Sequence, residues 1–183
     1  MLHLTPRDYR SMPWKNGGGT TTEILVRPEG LGVGDRFLCR LSVADVASSG
    51  PFSAFSGYER HLVVVAGEGM TLAFPGDRRL ALRPFEPVAF SGDEPAEGTL
   101  LGGPVRDLNL IVDRARATGE LACLSLDAPA RIACAAGETC MVHVLEGDLD
   151  VARAGDTLVL DAPLDVAPRA RSRIAVARVT PRT

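Results

Sequence analysis

Lysine occurs once (Lys15), tryptophan once (Trp14) and asparagine twice (Asn16, Asn109) in 183 residues. Histidine is nearly as scarce: His3, His61 and His143 are separated by 57 and 81 residues, and no H-x-H pair exists. A transition-metal site built on imidazole gathers two or three His at one place, so the sequence predicts neither a metal nor a cofactor. The four cysteines (Cys39, Cys123, Cys134, Cys140) are spaced by 83, 10 and 5 residues. No C-x-x-C pair results, which removes the usual zinc and redox motifs. Each Cys lies in an apolar or alternating run and reads as a reduced, buried thiol.

Basic clusters are missing as well. Lys and Arg total 20 against 23 Asp and Glu, the net charge is −3, and no basic run exceeds two residues; nucleic-acid partners are disfavoured. No apolar stretch approaches the roughly 18–20 residues that span a bilayer. Asp8 and Arg10 stand where a signal peptide would carry its apolar segment, so a cytoplasmic protein with no membrane partner is expected. Long helical periodicity is almost absent, and so are G-x-S-x-G, a P-loop and G-x-G-x-x-G before a helix.

What is present is a succession of short alternating or apolar runs separated by Gly, Pro, Asp and Glu every eight to twelve residues. That pattern indicates an all-β sandwich or barrel. Expected strands are Thr20–Val26, Arg36–Val43, His61–Ala66, Met70–Phe74, Arg79–Arg83, Pro87–Phe90, Asp107–Val112, Leu121–Leu126, Arg131–Ala135, Cys140–Leu145, Asp148–Ala152, Thr157–Leu160 and Arg173–Val179. Thirteen strands are about twice what one small sheet needs, which prompts a search for duplication. At an offset of 80, "LVVVAGEG" (Leu62–Gly69) lies on "VHVLEGDL" (Val142–Leu149), with Gly67 on Gly147. After the second copy, "EGDLDVARAGDTLVLDAP" (Glu146–Pro163) resembles the cupin barrel, a double-sheet jelly roll. Two such units make a bicupin, read as one compact body over residues 1–183. Its first half covers about 1–115 and its second about 116–183, with shared strands.

Polar residues inside apolar strands are the candidates for chemistry. In "RFLCRLSV", Cys39, Leu41 and Val43 share one face and Arg40 and Ser42 the other, pointing either to solvent or into a lumen where a guanidinium needs an acidic partner. In "RDLNLIVD", Asp107 and Asn109 project side by side, either from an edge strand into water or into a pocket. "GPFSAFSGYERH" offers Phe52 and Phe55 as core anchors, then Tyr58, Arg60 and His61 at a barrel rim. His143 alternates with Met141 and Leu145 and reads as a partly buried strand histidine with one hydrogen-bond partner.

"MPWKNGGGTTTEI", "LCRLSVADV", "GPFSAFSGYERHLVVVAGEGM" and "VRDLNLIVDR", in that order and spacing, resemble the HutD/Ves family of bacterial proteins over roughly Met1–Arg114. The resemblance implies a bicupin. It also implies a non-catalytic regulator of histidine utilisation that binds urocanate or N-formylglutamate, or, in the Ves branch, a stress-induced protein; the motifs are shared by both branches. Matching motif residues are Trp14, Lys15, Asn16, Gly17, Gly18, Thr20, Glu23, Arg40, Ser42, Arg60, Asp107 and Asn109. Leu108 and Ile111 depart from the pattern, where an aromatic and a Met are expected; such volume changes alter pocket shape more than chemistry.

Together the two lines of reading predict a ligand site for a small carboxylate. Arg40, Arg60 and Lys15 supply positive potential, Asn16, Asn109, Asp107 and Ser42 direct hydrogen bonds, and His61 stands at the rim. Trp14 or Tyr58 closes one side and Glu23 orients a cation. The alternative is a metal-independent cupin enzyme, an isomerase or lyase using Lys15, His61 or Glu23 as acid or base. Exposed jelly-roll edges are compatible with a homodimer.

Overall fold

The backbone alternation of the central strands dictates a layered body, because strands that are apolar on both faces must be covered on both. The computed structural model describes residues 1–30 and 35–182. The strands of the first half are β1 (Leu2–Leu4), β2 (Arg10–Pro13), β3 (Gly19–Arg27), β4 (Cys39–Val46), β5 (Gly50–Phe52), β6 (Tyr58–Ala66), β7 (Met70–Ala73), β8 (Arg79–Leu82), β9 (Val88–Ser91), β10 (Ala96–Leu100) and β11 (Val105–Asp113). Those of the second are β12 (Ala117–Leu126), β13 (Ala130–Ile132), β14 (Thr139–Glu146), β15 (Thr157–Leu160), β16 (Leu164–Val166) and β17 (Ser172–Pro181). The paired strands are antiparallel.

Two jelly rolls stand back to back. In the first, the sheet β2-β3-β4-β11-β6-β9 faces the sheet β5-β10-β7-β8, and Leu62, Val64, Met70, Leu72, Leu82 and Phe90 fill part of the space between them. In the second, β1-β15-β14-β17-β12 faces β13-β16, and its interior is an apolar core that includes Val142, Val144, Leu158, Val166 and Ile174. The outer faces of the two large sheets meet through Cys39, Leu41, Leu108, Leu110, Met141, Ala175 and Ala177. This is the bicupin expected from the sequence.

The duplication is visible in strand order. The run β4-β11-β6-β9 in one sheet has the order of β12-β17-β14-β15 in the other, so the offset-80 repeat lays β6 on β14. Gly67 (φ +93) and Gly147 (φ +72) both end those strands in the left-handed region, which glycine enters without steric cost. The N-terminal strand departs from this symmetry: β1 pairs with β15 of the second barrel, whereas β2 pairs with β3 of the first. The crossing segment is held by Tyr9, whose hydroxyl donates to Gly155 O (2.7 Å) and lies 2.8 Å from Thr157 Oγ1.

Twelve of the thirteen expected strands are present, Thr157–Leu160 with the expected bounds and the others with shifted ends. Asp148–Ala152 is a turn instead: Leu149 N donates to Ala152 O, and Asp148 and Asp150 accept from the backbone of Ala154 and Ala167. The strand expected from Arg36 starts at Cys39, because the backbone of Phe37 is held by the Tyr58 hydroxyl. No helix among the described residues is long and apolar enough to cross a membrane. The four cysteines are free thiols, two buried and two partly buried. Burial pushes those of Cys39, Cys123 and Cys140 up to about 11.

Candidate functional site

The first barrel holds a cavity of about 570 Å³, within the size range of small-molecule sites. Its floor is a three-strand ladder. β11 lies between β4 and β6, so its polar residues have no solvent face to occupy, and the edge-strand alternative for Asp107 and Asn109 does not hold. Register sets the rows: Arg40, Ile111 and Arg60 lie side by side, followed by Ser42, Asn109 and Leu62, then Ala44, Asp107 and Val64. The two guanidiniums therefore flank one end of the ladder, and Asp107 lies four residues along the same face.

The mouth is built by "PWKNGGGT". Trp14 N donates to Gly19 O (2.9 Å), Gly17 N to Trp14 O (3.0 Å), and Gly18 N to Asn16 Oδ1 (3.0 Å). Gly17 has φ +71, and a Cβ on Gly19 would stand 2.4 Å from Asp45 O and 3.1 Å from the Trp14 ring. The glycines thus permit a tight turn on which the indole rests, a backbone role. Trp14 Nε1 donates to Thr21 Oγ1 at 2.8 Å, which fixes the ring plane at the cavity wall. Lys15 and Asn16 are exposed and line the mouth.

Aromatic rings hold the two arginines. Arg60, only 4% exposed, donates from Nη1 to Ser53 O (3.0 Å), and its guanidinium lies 5.2–5.5 Å from the ring centres of Phe52, Phe55 and Phe90. Arg40 lies over Phe37 (5.5 Å) and Phe55 (5.0 Å), so Phe55 separates two cations with a π face. Burial lowers the pKa of both arginines. Arg60 falls to about 10, with the Asp107 carboxylate opposing the shift and Arg40 adding to it; for Arg40 the Glu23 carboxylate opposes.

Asp107 is 1% exposed, and burial raises its carboxyl to about 7 against the opposing pull of Arg60. Neither carboxylate oxygen has a hydrogen-bond partner, nor have Asn109 Oδ1, Arg40 Nε and Arg60 Nε. Buried polar atoms are ordinarily satisfied, and each exception calls for an explanation. Here five such atoms belong to four residues lining one cavity.

Of the eleven residues predicted from sequence, Trp14, Lys15, Asn16, Arg40, Ser42, Arg60, Asp107 and Asn109 line this cavity. Three do not. His61 alternates onto the other face of β6, toward the second barrel, where its Nε2 meets the Gly119 backbone region and lies 3.7 Å from Glu59 Oε2. Tyr58 shares the face of β6 that carries Arg60 but stands one row beyond it, packed against Phe37 and Phe55; its hydroxyl donates to Phe37 O and accepts from Phe37 N, both at 3.1 Å, and it does not line the cavity. Glu23 pairs across the ladder with Ser42 and acts on Arg40 through its charge. Phe52 and Phe55, expected as core anchors, line the cavity together with Pro13, Thr21, Ala44, Pro51 and Ser53. Their signal was the "GPFSAF" turn itself, whose two aromatics stand three apart and face the arginines.

The HutD family model matches residues 6–177. The chain belongs to the HutD family. Among curated relatives, an uncharacterized 21.2 kDa protein in the hutC 3' region of Pseudomonas putida is 50% identical over 108 residues, 59% of this chain and 56% of that one. Protein Ves of Citrobacter koseri is 34% identical over 113 residues, 60% of this chain and 58% of its own. The matches thus span little more than half the length of these relatives. Two solved structures match nearly end to end. A conserved protein of unknown function from Pseudomonas aeruginosa PAO1 has TM-score 0.87 and 31% identity, covering 98% of each chain. HutD from Pseudomonas fluorescens SBW25, solved in a formate condition, has TM-score 0.81 and 34% identity, covering 100% of this chain and 99% of that one.

Cupins often carry a divalent metal, and the donor set of this HutD-family cavity does not suit one. The guanidiniums of buried Arg60 and half-buried Arg40 repel a cation, and no His lines the cavity. Among the described residues no three His, Cys, Asp or Glu side chains gather as ligands. His143, in the second barrel, bonds Thr157 Oγ1 through Nδ1 at 2.8 Å, and burial lowers it to about 4.

Proposed function

We propose that this HutD-family protein binds a small carboxylate, urocanate or N-formylglutamate, in its first barrel and acts as a non-catalytic regulator of histidine utilisation. The observation that carries the reading is a pair of arginines, Arg60 buried and Arg40 half-buried, whose Nε atoms are both buried and unsatisfied and which line a cavity of ligand size. A guanidinium fork matches a carboxylate in shape and charge, and Trp14 and Phe55 offer faces to a planar ligand. The hutC-region location of the P. putida relative supports the pathway assignment.

A second reading is favoured by one group, the cavity-facing Asp107, whose carboxyl is raised to about 7. Such a group suits a general acid or base, so a metal-independent isomerase or lyase is the alternative. Of the three residues weighed for that role from sequence, only Lys15 lines the cavity. Titration calorimetry followed by proton NMR of the same sample separates the two. Saturable binding with the ligand recovered unchanged is expected; conversion of urocanate or N-formylglutamate, lost in Asp107→Asn, would establish the enzyme. Lys15→Ala is expected to weaken binding and leave the melting temperature unchanged.

A further inference from the structure

In the second barrel, away from the cavity of the first, the stretch "RIACAAGETC" sets Cys134 and Cys140 five residues apart. Cys134 follows β13 and Cys140 is the second residue of β14, and a turn in which Glu138 N donates to Ala135 O (3.2 Å) reverses the chain between them. Register then decides what each sulfur meets. Cys140 stands opposite Leu160 on β15 and opposite Arg178 on β17. The Cys134 thiol reaches Leu160 O at 3.7 Å, and the Cys140 thiol reaches Ala133 O at 3.8 Å. Each sulfur thus lies against backbone that neighbours the other cysteine, and both side chains pack in one apolar cluster. A disulfide needs that convergence of side chains, not nearness in sequence alone. We propose that Cys134 and Cys140 are an oxidant-responsive dithiol, which a peroxide converts to one intramolecular disulfide.

Exposure and charge give the two thiols different parts. Cys134 is half-buried, whereas Cys140 is 0% exposed, so an oxidant arriving from solvent meets Cys134 first. Its sulfur attacks one peroxide oxygen and breaks the O–O bond; Cys134 becomes a sulfenic acid, and the other oxygen leaves as water with the thiol proton. The Cys140 sulfur then attacks the Cys134 sulfur. The S–S bond forms as the S–O bond breaks, and hydroxide leaves with the Cys140 proton as a second water, so two electrons have passed from the sulfur pair to the peroxide. Arg178 serves this second step by position. Its Nη1 donates to Ala133 O (2.6 Å) and to Glu138 Oε2 (3.1 Å) and lies 3.5 Å from Cys140 Sγ, which pins the turn over Cys140 and sets a cation beside the attacking sulfur. Burial raises the Cys140 thiol to about 11; Arg178 opposes the rise, and Cys134 and Glu138 add to it, Cys134 through charge and hydrogen bonding alike. Resolution is therefore the slower step and quickens with pH. Cys39 and Cys123 pack in the junction between the barrels instead.

The test exposes the full chain to a small excess of hydrogen peroxide at pH about 8, where more of each thiol is ionised than at neutrality. The remaining thiols are then alkylated in denaturant and the tryptic peptides weighed without reductant. Residues 132–153 form one such peptide, which holds Cys134 and Cys140 and no other cysteine. It is expected to have lost two hydrogens and to resist alkylation until dithiothreitol is added, while Cys39 and Cys123 are alkylated. In Cys140→Ser the same treatment is expected to leave Cys134 as a sulfenic acid that dimedone traps. Alkylation of both cysteines after the treatment, Cys134 carried to sulfinic acid beside an unmodified Cys140, or a disulfide that includes Cys39, Cys123 or a second chain would overturn the proposal. The mapping of wild type decides the matter even where the variant folds poorly.

Discussion

At the scale of single residues, Asp107 and His143 pull stability in opposite directions with pH. The folded carboxyl of Asp107 is raised to about 7 from an ordinary 3.8. The folded state therefore binds the proton more tightly, and stability is fully present below 3.8 and lost as pH rises to 7. His143 is lowered to about 4 from 6.5, so the unfolded state binds the proton more tightly and stability is lost as pH falls from 6.5 toward 4. Asp107→Asn is expected to raise stability at pH 8 by on the order of 2–4 kcal/mol and to make no difference near pH 3.5, as read from urea melts across pH. His143→Asn, which keeps a polar partner for Thr157, is expected to remove the loss between pH 6.5 and 4. A urea midpoint for Asp107→Asn below that of wild type at pH 8 would show that its carboxylate is satisfied in the ligand-free protein. Eight of the eleven residues predicted from sequence line the cavity, and for the five on strands, Arg40, Ser42, Arg60, Asp107 and Asn109, the shared face was legible because side-chain alternation is a property of the strand itself. The misplacement of His61 shows the limit. Its phase opposite Arg60 was readable, but which face of β6 bordered the cavity depended on which sheet packed where.

At the scale of elements, glycines decide how close neighbouring backbones come. Gly19 lets the Trp14 ring lie on the β2–β3 hairpin, and a Cβ there would meet Asp45 O at 2.4 Å. Gly119 on β12 faces His61 across the junction of the two barrels, with a Cβ 2.8 Å from both His61 Nε2 and Val112 Cγ2. Gly19→Ala and Gly119→Ala are each expected to lower stability by about 1–3 kcal/mol, the range for overpacking. Only Gly19→Ala is expected to weaken ligand binding as well, since only it moves the cavity mouth. Equal affinity losses in calorimetry would mean that the mouth and the junction are mechanically one unit. The sequence showed the long central strands and missed β1, β2, β5, β10 and β16. These are three to five residues long; β1 is only Leu-His-Leu, and the other four carry Pro, Gly or charge in place of an apolar run. Such strands form because a neighbour offers free hydrogen-bonding groups, and a single sequence does not display its neighbours.

At the scale of the whole molecule, the two barrels share a core and differ in use. Back-to-back packing through Leu41, Leu108, Leu110 and Met141, all 0% exposed, means that neither half buries its outer sheet alone. The N-terminal strand further ties the second barrel to the chain that builds the mouth of the first. A fragment of residues 1–115 is therefore expected to aggregate or remain unfolded, whereas the full chain unfolds in one transition followed alike by Trp14 fluorescence and far-ultraviolet dichroism. A soluble, folded fragment would contradict the shared core. Duplication was readable from the Gly67 and Gly147 repeat. The division of labour was not, because it depends on one interior being filled by Val142, Leu158 and Ile174 while the other keeps buried polar atoms around open space.

That open space is the centre of the account, and a thermal-shift panel of histidine-pathway intermediates tests it most directly. A ligand present at about 100 times its dissociation constant adds roughly 2.7 kcal/mol, equivalent to about 5–10 °C for a chain of this size. Urocanate or N-formylglutamate is expected to produce that shift in wild type and to lose most of it in Arg40→Met. No shift with either compound, alongside a clear shift with an unrelated acid, would contradict the histidine-pathway reading and leave the fold alone standing.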